Sequence, residues 1–227
     1  MIRVAIAGAG RMGQAIAAGL EKQDDMELAG IWCRGDDLAS LVEAADVVVD
    51  FSLPGGTEQV LAAVERLGKP LVCGVSGLSD EQMTGLDHAA TSVPVVYDRN
   101  MSLGIAVLEH SVSEAARSLG ADFAVEIGEV HHVHKKDAPS GTALKLGEAV
   151  AAARGEQGTG SVTFRSERRG EVPGDHDVVM RSPTEILTFG HSVTTRQVFA
   201  DGAIRAARWV VGKPAGRFVM RDVLFDN

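Results

Sequence analysis

The chain has 227 residues, 45% of them hydrophobic, enough apolar material for one large domain or two modest ones. A formal net charge of −9 argues against a nucleic-acid or anionic-membrane partner, because phosphate contacts need a basic face. No apolar run approaches the roughly 20 residues of a membrane span, no basic region and cleavage site mark a signal peptide, and two cysteines without a CxxC give neither a disulfide framework nor a thiolate metal site, so a cytoplasmic enzyme is expected.

Residues 2–7 form an apolar, β-branched run followed at once by Gly8-Ala9-Gly10-Arg11-Met12-Gly13 and an amphipathic stretch to about residue 22. This is a GxGxxG with a strand before it and a helix after it, the context in which the motif binds a dinucleotide. Gly8 permits the tight turn, Gly10 lets the backbone approach a pyrophosphate, and Gly13 allows close helix–strand packing. The residue that reads the adenine ribose belongs about twenty positions on, at the end of the next strand, 27–32. There the sequence reads Cys33-Arg34-Gly35, with Asp36 and Asp37 following and well suited to cap a helix over 38–45. An arginine without a preceding acid suits a 2′-phosphate, so NADPH is expected to be preferred, with NADH possible.

A third strand at 47–51, a turn through Ser52-Leu53-Pro54-Gly55-Gly56-Thr57, and a helix over 58–67 come next. Strand 70–75, a helix opened by Ser79, strand 93–97 and a long helix ending near 119 follow. Short strands alternating with helices predict a parallel, doubly wound α/β sheet of Rossmann type, with ligands at the carboxyl ends of its strands. The loops at Gly8, Cys33, Ser52, Gly74 and Asp98 all fall on that edge.

After about residue 120 strand-like runs dominate: 121–130, 161–166, 177–182 and 185–194. This is α+β patterning and predicts a second domain on an open, mostly antiparallel or mixed sheet. The expected division is 1–102 with 197–227 for dinucleotide binding, and 103–196 for substrate binding and oligomerisation. A helix over 203–211 and the run 218–224 return the chain to the first domain. Only one helix, from residue 141, is legible as local cover for the second sheet, so a second subunit is expected to cover the rest.

The most informative segment is Glu129-Val130-His131-His132-Val133-His134-Lys135-Lys136-Asp137-Ala138-Pro139-Ser140-Gly141-Thr142. Residues 122–130 alternate apolar and polar, so the histidines fall where a strand runs out into a loop. Pro139 stops any continuation, and Ser140 is a good N-cap for a helix over 141–153 closed by Gly155. The N–H groups of Gly141, Thr142 and Ala143 at that helix start suit a carboxylate, with Lys135 or Lys136 neutralising it. His131, His132 and His134 with Glu129 or Asp137 are side chains of the kind that ligate zinc, but two adjacent lysines repel a dication and the spacing matches no common zinc pattern. The segment therefore points to acid–base chemistry on a small carboxylate, without a metal.

These residues carry a resemblance to the bacterial dihydrodipicolinate reductase (4-hydroxy-tetrahydrodipicolinate reductase) family. It rests on the histidine segment and on Gly8 to Gly13, and extends through Asp50-Phe51-Ser52, Gly74-Val75-Ser76-Gly77, the run from Asn100 to Gly104, the run from Arg168 to His176, and the run from Phe199 to Trp209. The resemblance implies that His131 is the acid–base histidine and Lys135 the lysine of proton donation and substrate binding. It assigns His132, Gly141 and Thr142 to the substrate carboxylate. Gly8, Ala9, Gly10, Arg11, Met12, Gly13, Arg34, Gly74, Val75, Ser76, Asp98, Arg99, Asn100 and Met101 become the cofactor loops. The implied reaction, in lysine and diaminopimelate biosynthesis, is hydride transfer to C4 of a cyclic imine dicarboxylate after loss of the 4-hydroxyl as water, with a proton from His131; a homotetramer is implied as well. The chain is shorter than familiar members, with contractions after Arg34 and around 154–168, and Cys33 replaces an acid often found before the ribose-site arginine. The rival readings are another two-domain dehydrogenase of aspartate or homoserine type, or a non-catalytic nucleotide sensor.

Overall fold

The structure, a computed structural model, describes residues 1–225. Two compact units divide it, one of residues 1–103 with the chain from 197 onward and one of residues 104–196.

The first unit is built on a six-stranded parallel sheet: β1 (Ile2–Ala7), β2 (Met26–Trp32), β3 (Val47–Asp50), β4 (Leu71–Cys73), β5 (Pro94–Tyr97) and β10 (Gly216–Phe218). The strand order is β10-β5-β4-β3-β1-β2. Val4, Ile6, Val47, Val48, Val49, Leu71, Val72, Val95 and Val96 are fully buried, as strands covered on both faces require. Connecting helices are α1 (Arg11–Leu20), α2 (Leu38–Ala44), α3 (Pro54–Leu67) and α4 (Asp80–Ala89). Ala5, Ala7, Val48, Leu71 and Val95 pack with Val42 of α2, Val60 and Val64 of α3 and Leu86 of α4 on one face. The chain leaves β1 for β2 on one side and returns to β3 on the other, so the strand order reverses between β1 and β3. That reversal opens a crevice at the carboxyl ends of these strands.

Two helices depart from the sequence expectation. α3 begins at Pro54, not residue 58, because proline lacks the N–H that a first helical turn leaves unbonded and so serves as N1. α7 (Gln197–Val210) begins six residues before the expected 203 and runs straight through Gly202. There the absence of a side chain is required, since a Cβ would collide with the Met101 carbonyl oxygen. The short α8 (Met220–Phe225) follows β10.

The second unit holds α5 (Leu103–Leu119), a 3₁₀ turn at Gly120–Asp122, β6 (Ala124–His131), α6 (Gly141–Ala153), β7 (Thr163–Arg168), β8 (Asp175–Arg181) and β9 (Ile186–His191). The sheet order is β7-β6-β8-β9, with β7 parallel to β6 and the other pairs antiparallel, hence a mixed sheet. Val125, Ile127, Val178 and Met180 point to one face, against Ile105, Leu108 and Val112 of α5 and Leu146 and Val150 of α6. Two helices of the same chain therefore cover this face, where one had been legible. The opposite face is not plainly apolar. It carries Arg165 between Asp177 (3.1 Å) and Glu126 (3.6 Å), with exposed Ile186 at the edge.

Candidate active site

In the first unit the site grows from the β1–α1 turn. Gly8 adopts φ +106°, a conformation open to glycine, and Gly10 caps α1 with no side-chain hydrogen bond and open space around its α-carbon. The crevice predicted by the strand reversal is a cavity of about 570 Å³ lined by Gly8, Ala9, Gly10, Trp32, Cys33, Arg34, Phe51, Ser52, Leu53 and Gly56. Its apolar lining with one guanidinium at the rim fits the adenosine half of a dinucleotide, and the uncapped start of α1 fits a pyrophosphate. Arg11, Met12 and Gly13 form the first turn of α1 beside it.

The two acids after Arg34 are already engaged. Asp37 is the N-cap of α2, accepting from Ser40 N (3.1 Å) and Ser40 Oγ (2.6 Å), and those bonds hold its carboxyl below the usual range. Asp36 folds back so that its carboxylate accepts from Cys33 N at 2.8 Å. The tip of β2 is thus not devoid of carboxylate: the acid absent from it in sequence arrives three residues later.

Of the remaining cofactor-loop residues, Gly74 and Ser76 follow β4 at the same strand edge, while the Val75 side chain is buried in the core. Asp98, 2% exposed, accepts from Asn100 N (3.2 Å) and Met220 N (3.1 Å). Met101 is equally buried, whereas Arg99 is exposed. Asp98 and Met101 therefore shape this loop from within. Asp50, part of the Asp50-Phe51-Ser52 run quoted for the resemblance but given no role there, is fully buried at the end of β3 and accepts from Ser52 N (2.9 Å); burial raises its carboxyl above the ordinary range.

In the second unit the histidine segment is divided between strand and loop. His131 is the last residue of β6 rather than a loop residue, paired with Arg168 on β7. Residues 125, 127, 129 and 131 alternate onto the helix-covered face, so the Glu129 and His131 side chains meet, and Glu129 accepts from His131 Nδ1. This bond fixes the neutral tautomer with Nε2 at the far edge of the ring, over Gly174, where a Cβ would stand 3.0 Å from it. Across the sheet His176 on β8 pairs with Glu129, and its ring meets His131 edge-on, centroids 5.3 Å apart. Ser140 Oγ lies 3.2 Å from His176 Nε2 and accepts from Ala143 N (3.1 Å), capping α6. The three-N–H cradle expected at this helix start is therefore smaller, since Ala143 N is taken by the Ser140 cap.

Burial pushes His131 below the ordinary imidazole range against the opposing pull of Glu129, so it is neutral near pH 7. Burial also acts to raise Glu129, but hydrogen bonds from His131, Ser166 and Arg168 outweigh it and keep the carboxylate ionised. Burial, with His131 and His191 nearby, drives His176 down to about 3. Lys135, half-buried, pairs with Asp137 at 2.9 Å, while Lys136 is exposed. His132 Nδ1 is buried without a hydrogen-bond partner among the described residues, and His134 lies at the surface near Glu171 (3.5 Å). Sequence reasoning missed Glu129 as the partner of His131, and missed Arg168 and His176. The i, i+2 spacing of Glu129 and His131 on one strand was a usable signal; the other two depend on sheet register.

A doubly wound nucleotide unit together with a unit presenting a carboxylate-oriented histidine defines a two-domain, nicotinamide-dependent oxidoreductase. Residues 2–101 match the family description "Dihydrodipicolinate reductase, N-terminus", and residues 104–224 match "Dihydrodipicolinate reductase, C-terminus". The chain is 40% identical to the 4-hydroxy-tetrahydrodipicolinate reductase of Zymomonas mobilis, covering 96% of this chain and 95% of that one. It is 42% identical to the protein of the same name from Halorhodospira halophila, over 84% and 77% of the two chains. The fold is shared with the dipicolinate-bound dihydrodipicolinate reductase of Paenisporosarcina sp. TG-14, at TM-score 0.82 and 24% identity over 96% and 97%. The chain belongs to the dihydrodipicolinate reductase family.

Proposed function

We propose that the protein reduces 4-hydroxy-tetrahydrodipicolinate to tetrahydrodipicolinate in the lysine and diaminopimelate route, the activity named for its relatives. The observation that carries this reading is His131, buried, oriented by its hydrogen bond to the Glu129 carboxylate and in contact through His176 with Ser140 at the start of α6. When bound, a nicotinamide dinucleotide supplies the hydride to C4 of the substrate ring. His131 supplies the proton, presented from Nε2 because Nδ1 is held by Glu129. Lys135 exchanges Asp137 for one substrate carboxylate, and the Gly141–Thr142 turn with His132 receives the charge of the same dicarboxylate. In the free protein His131 is neutral; a bound dianion favours the imidazolium and brings the proton to the ring before it is needed.

NADPH is the preferred cofactor in this reading, because Arg34 at the cavity rim suits a 2′-phosphate; Asp36 on the tip of β2 leaves room for NADH. A homotetramer is supported by the open edges of β7 and β9 and by exposed Ile186. Two unpaired cysteines suit the cytoplasm.

The decisive experiment couples freshly generated hydroxy-tetrahydrodipicolinate to the protein and follows NADPH absorbance. Oxidation that depends on that substrate, and not on aspartate semialdehyde, oxaloacetate or ammonia, is the expected result. NADPH binding without turnover would leave a nucleotide sensor instead. His131→Gln should lower turnover by about 10²–10⁴-fold with NADPH affinity unchanged.

A further inference from the structure

Arg168 is the last residue of β7 and lies beside His131 in the parallel register. All three of its guanidinium nitrogens are occupied. Nη1 donates to both oxygens of Glu129, at 3.0 and 2.9 Å, and to the Glu167 carbonyl at 2.8 Å. Nε donates to the Lys135 carbonyl at 3.2 Å, and Nη2 donates to the Asp137 carbonyl. One side chain therefore grips the carboxylate that orients His131 and also the backbone on either side of Lys136, in the loop that carries Lys135. Glu129 is 1% exposed, so its charge has no solvent to fall back on if that grip is lost.

We propose that Arg168 is a positioning residue for the reaction: its planar fork sets the His131 ring through Glu129 and the Lys135 ammonium through the loop backbone, fixing proton donor and carboxylate anchor relative to each other. This rests on the reading of His131 and Lys135 given above. The geometry requires a fork. A lysine at 168 would restore the positive charge but present its donors from a single nitrogen, and would not reach Glu129 and two carbonyls together. A staple that merely stabilises the loop would make the same contacts, so the distinguishing property is the state of His131. The groups facing His131 are Glu129 on its own strand, Arg168 on β7, His176 on β8 and Lys135 in the loop. Glu129 favours the imidazolium, whereas Arg168 and Lys135 disfavour it. Neutral His176 contributes no charge of its own at pH 7.

The test is carried out on the full chain labelled with ¹⁵N-histidine, in parallel with steady-state kinetics. In the unmodified protein the His131 nitrogens should report a single neutral tautomer with the proton on Nδ1. Arg168→Met should raise the His131 titration midpoint, and Glu129→Gln should lower it and mix the tautomers, an opposition that loss of packing would not produce. Arg168→Lys keeps the charge and the aliphatic stem and should leave the midpoint in place. It should nevertheless lower kcat by about 10²-fold, as misplacement of a catalytic group by about 1 Å does. KM for the dicarboxylate should rise with it, and the dissociation constant for NADPH should stay unchanged. Arg168→Lys with unmodified kcat and KM would overturn the proposal, as would Arg168→Met and Glu129→Gln moving the midpoint the same way. If the unmodified protein itself shows no turnover, the reductase reading fails while the titrations still decide what Arg168 does to His131.

Discussion

At the residue scale, His131 combines two opposed influences, burial lowering its proton affinity and Glu129 raising it, and burial wins in the free protein. The consequence for pH dependence has a definite sign. If His131 is the proton donor proposed above, the reacting form is protonated, so kcat/KM, which reports free enzyme, should decline as pH rises through a midpoint below the ordinary 6.5 of a histidine. In the complex the substrate dianion favours the imidazolium, so the corresponding limb of kcat should lie at higher pH. Profiles with coincident limbs would remove His131 as the donor. Arg34 makes the second residue-scale prediction. Charge-assisted contact with a 2′-phosphate is worth roughly 1.5–3 kcal/mol, so Arg34→Ala should lower kcat/KM for NADPH by about one to two orders of magnitude and leave NADH kinetics nearly unchanged. Asp36→Asn, removing the carboxylate from the tip of β2, should shift the preference further toward NADPH; equal efficiency of the two cofactors in the unmodified protein would refute the role given to Arg34.

At the element scale, the start of α6 is where stability and function meet. Ser140 caps the helix and contacts His176 with the same hydroxyl. Ser140→Ala should cost about 1 kcal/mol for the lost cap, and more because His176 Nε2 is left buried without that partner. His176 also ties stability to pH. It is neutral in the folded protein, with its midpoint near 3, whereas the unfolded chain protonates it from the ordinary 6.5 downward. The unfolded state thus binds the extra proton across this window, and stability must fall as pH drops below 6.5 toward 3, by about 1.4 kcal/mol per unit for this one group. His131, lowered in the same sense, adds to the effect. His176→Asn should flatten the dependence of Tm on pH between 6.5 and about 5, and an unchanged slope would show that His176 is protonated in the folded protein.

At the scale of the whole molecule, the second sheet is covered on one face by α5 and α6 and presents the other with Arg165, Asp177, Glu126 and Ile186. A face of this mixed character suits an interface in which charged pairs set the register between copies and the edge strands β7 and β9 are shielded. On the homotetramer proposed above, light scattering should give about four chain masses, and Ile186→Lys, at a position 57% exposed, should shift the population toward smaller species without altering the α5–α6 core. A stable monomer at micromolar concentration would mean that the ionic cluster itself suffices to keep this face in water.

Much of this protein was determined locally and so could be read along the chain. The β1–α1 glycine turn, the burial of the parallel strands and the Ser140 cap depend on residues a few positions apart, where propensity and spacing act directly. Local reading failed where a residue's role depends on the exact backbone geometry of a turn or on a partner distant in sequence. Pro54 reads as part of a turn and Gly202 falls outside the expected helix over 203–211, yet one sits in the first helical turn and the other permits close approach to the Met101 backbone. Asp36 reaches back onto Cys33 only through the shape of its turn. Glu129 and His131 share a strand face and were in principle legible together. Arg168 and His176, 37 and 45 residues beyond His131, come to it by strand register alone. Spacing within one strand sets the Glu129–His131 contact, and pairing between strands, which tertiary structure alone decides, adds Arg168 and His176 to it and buries the pair.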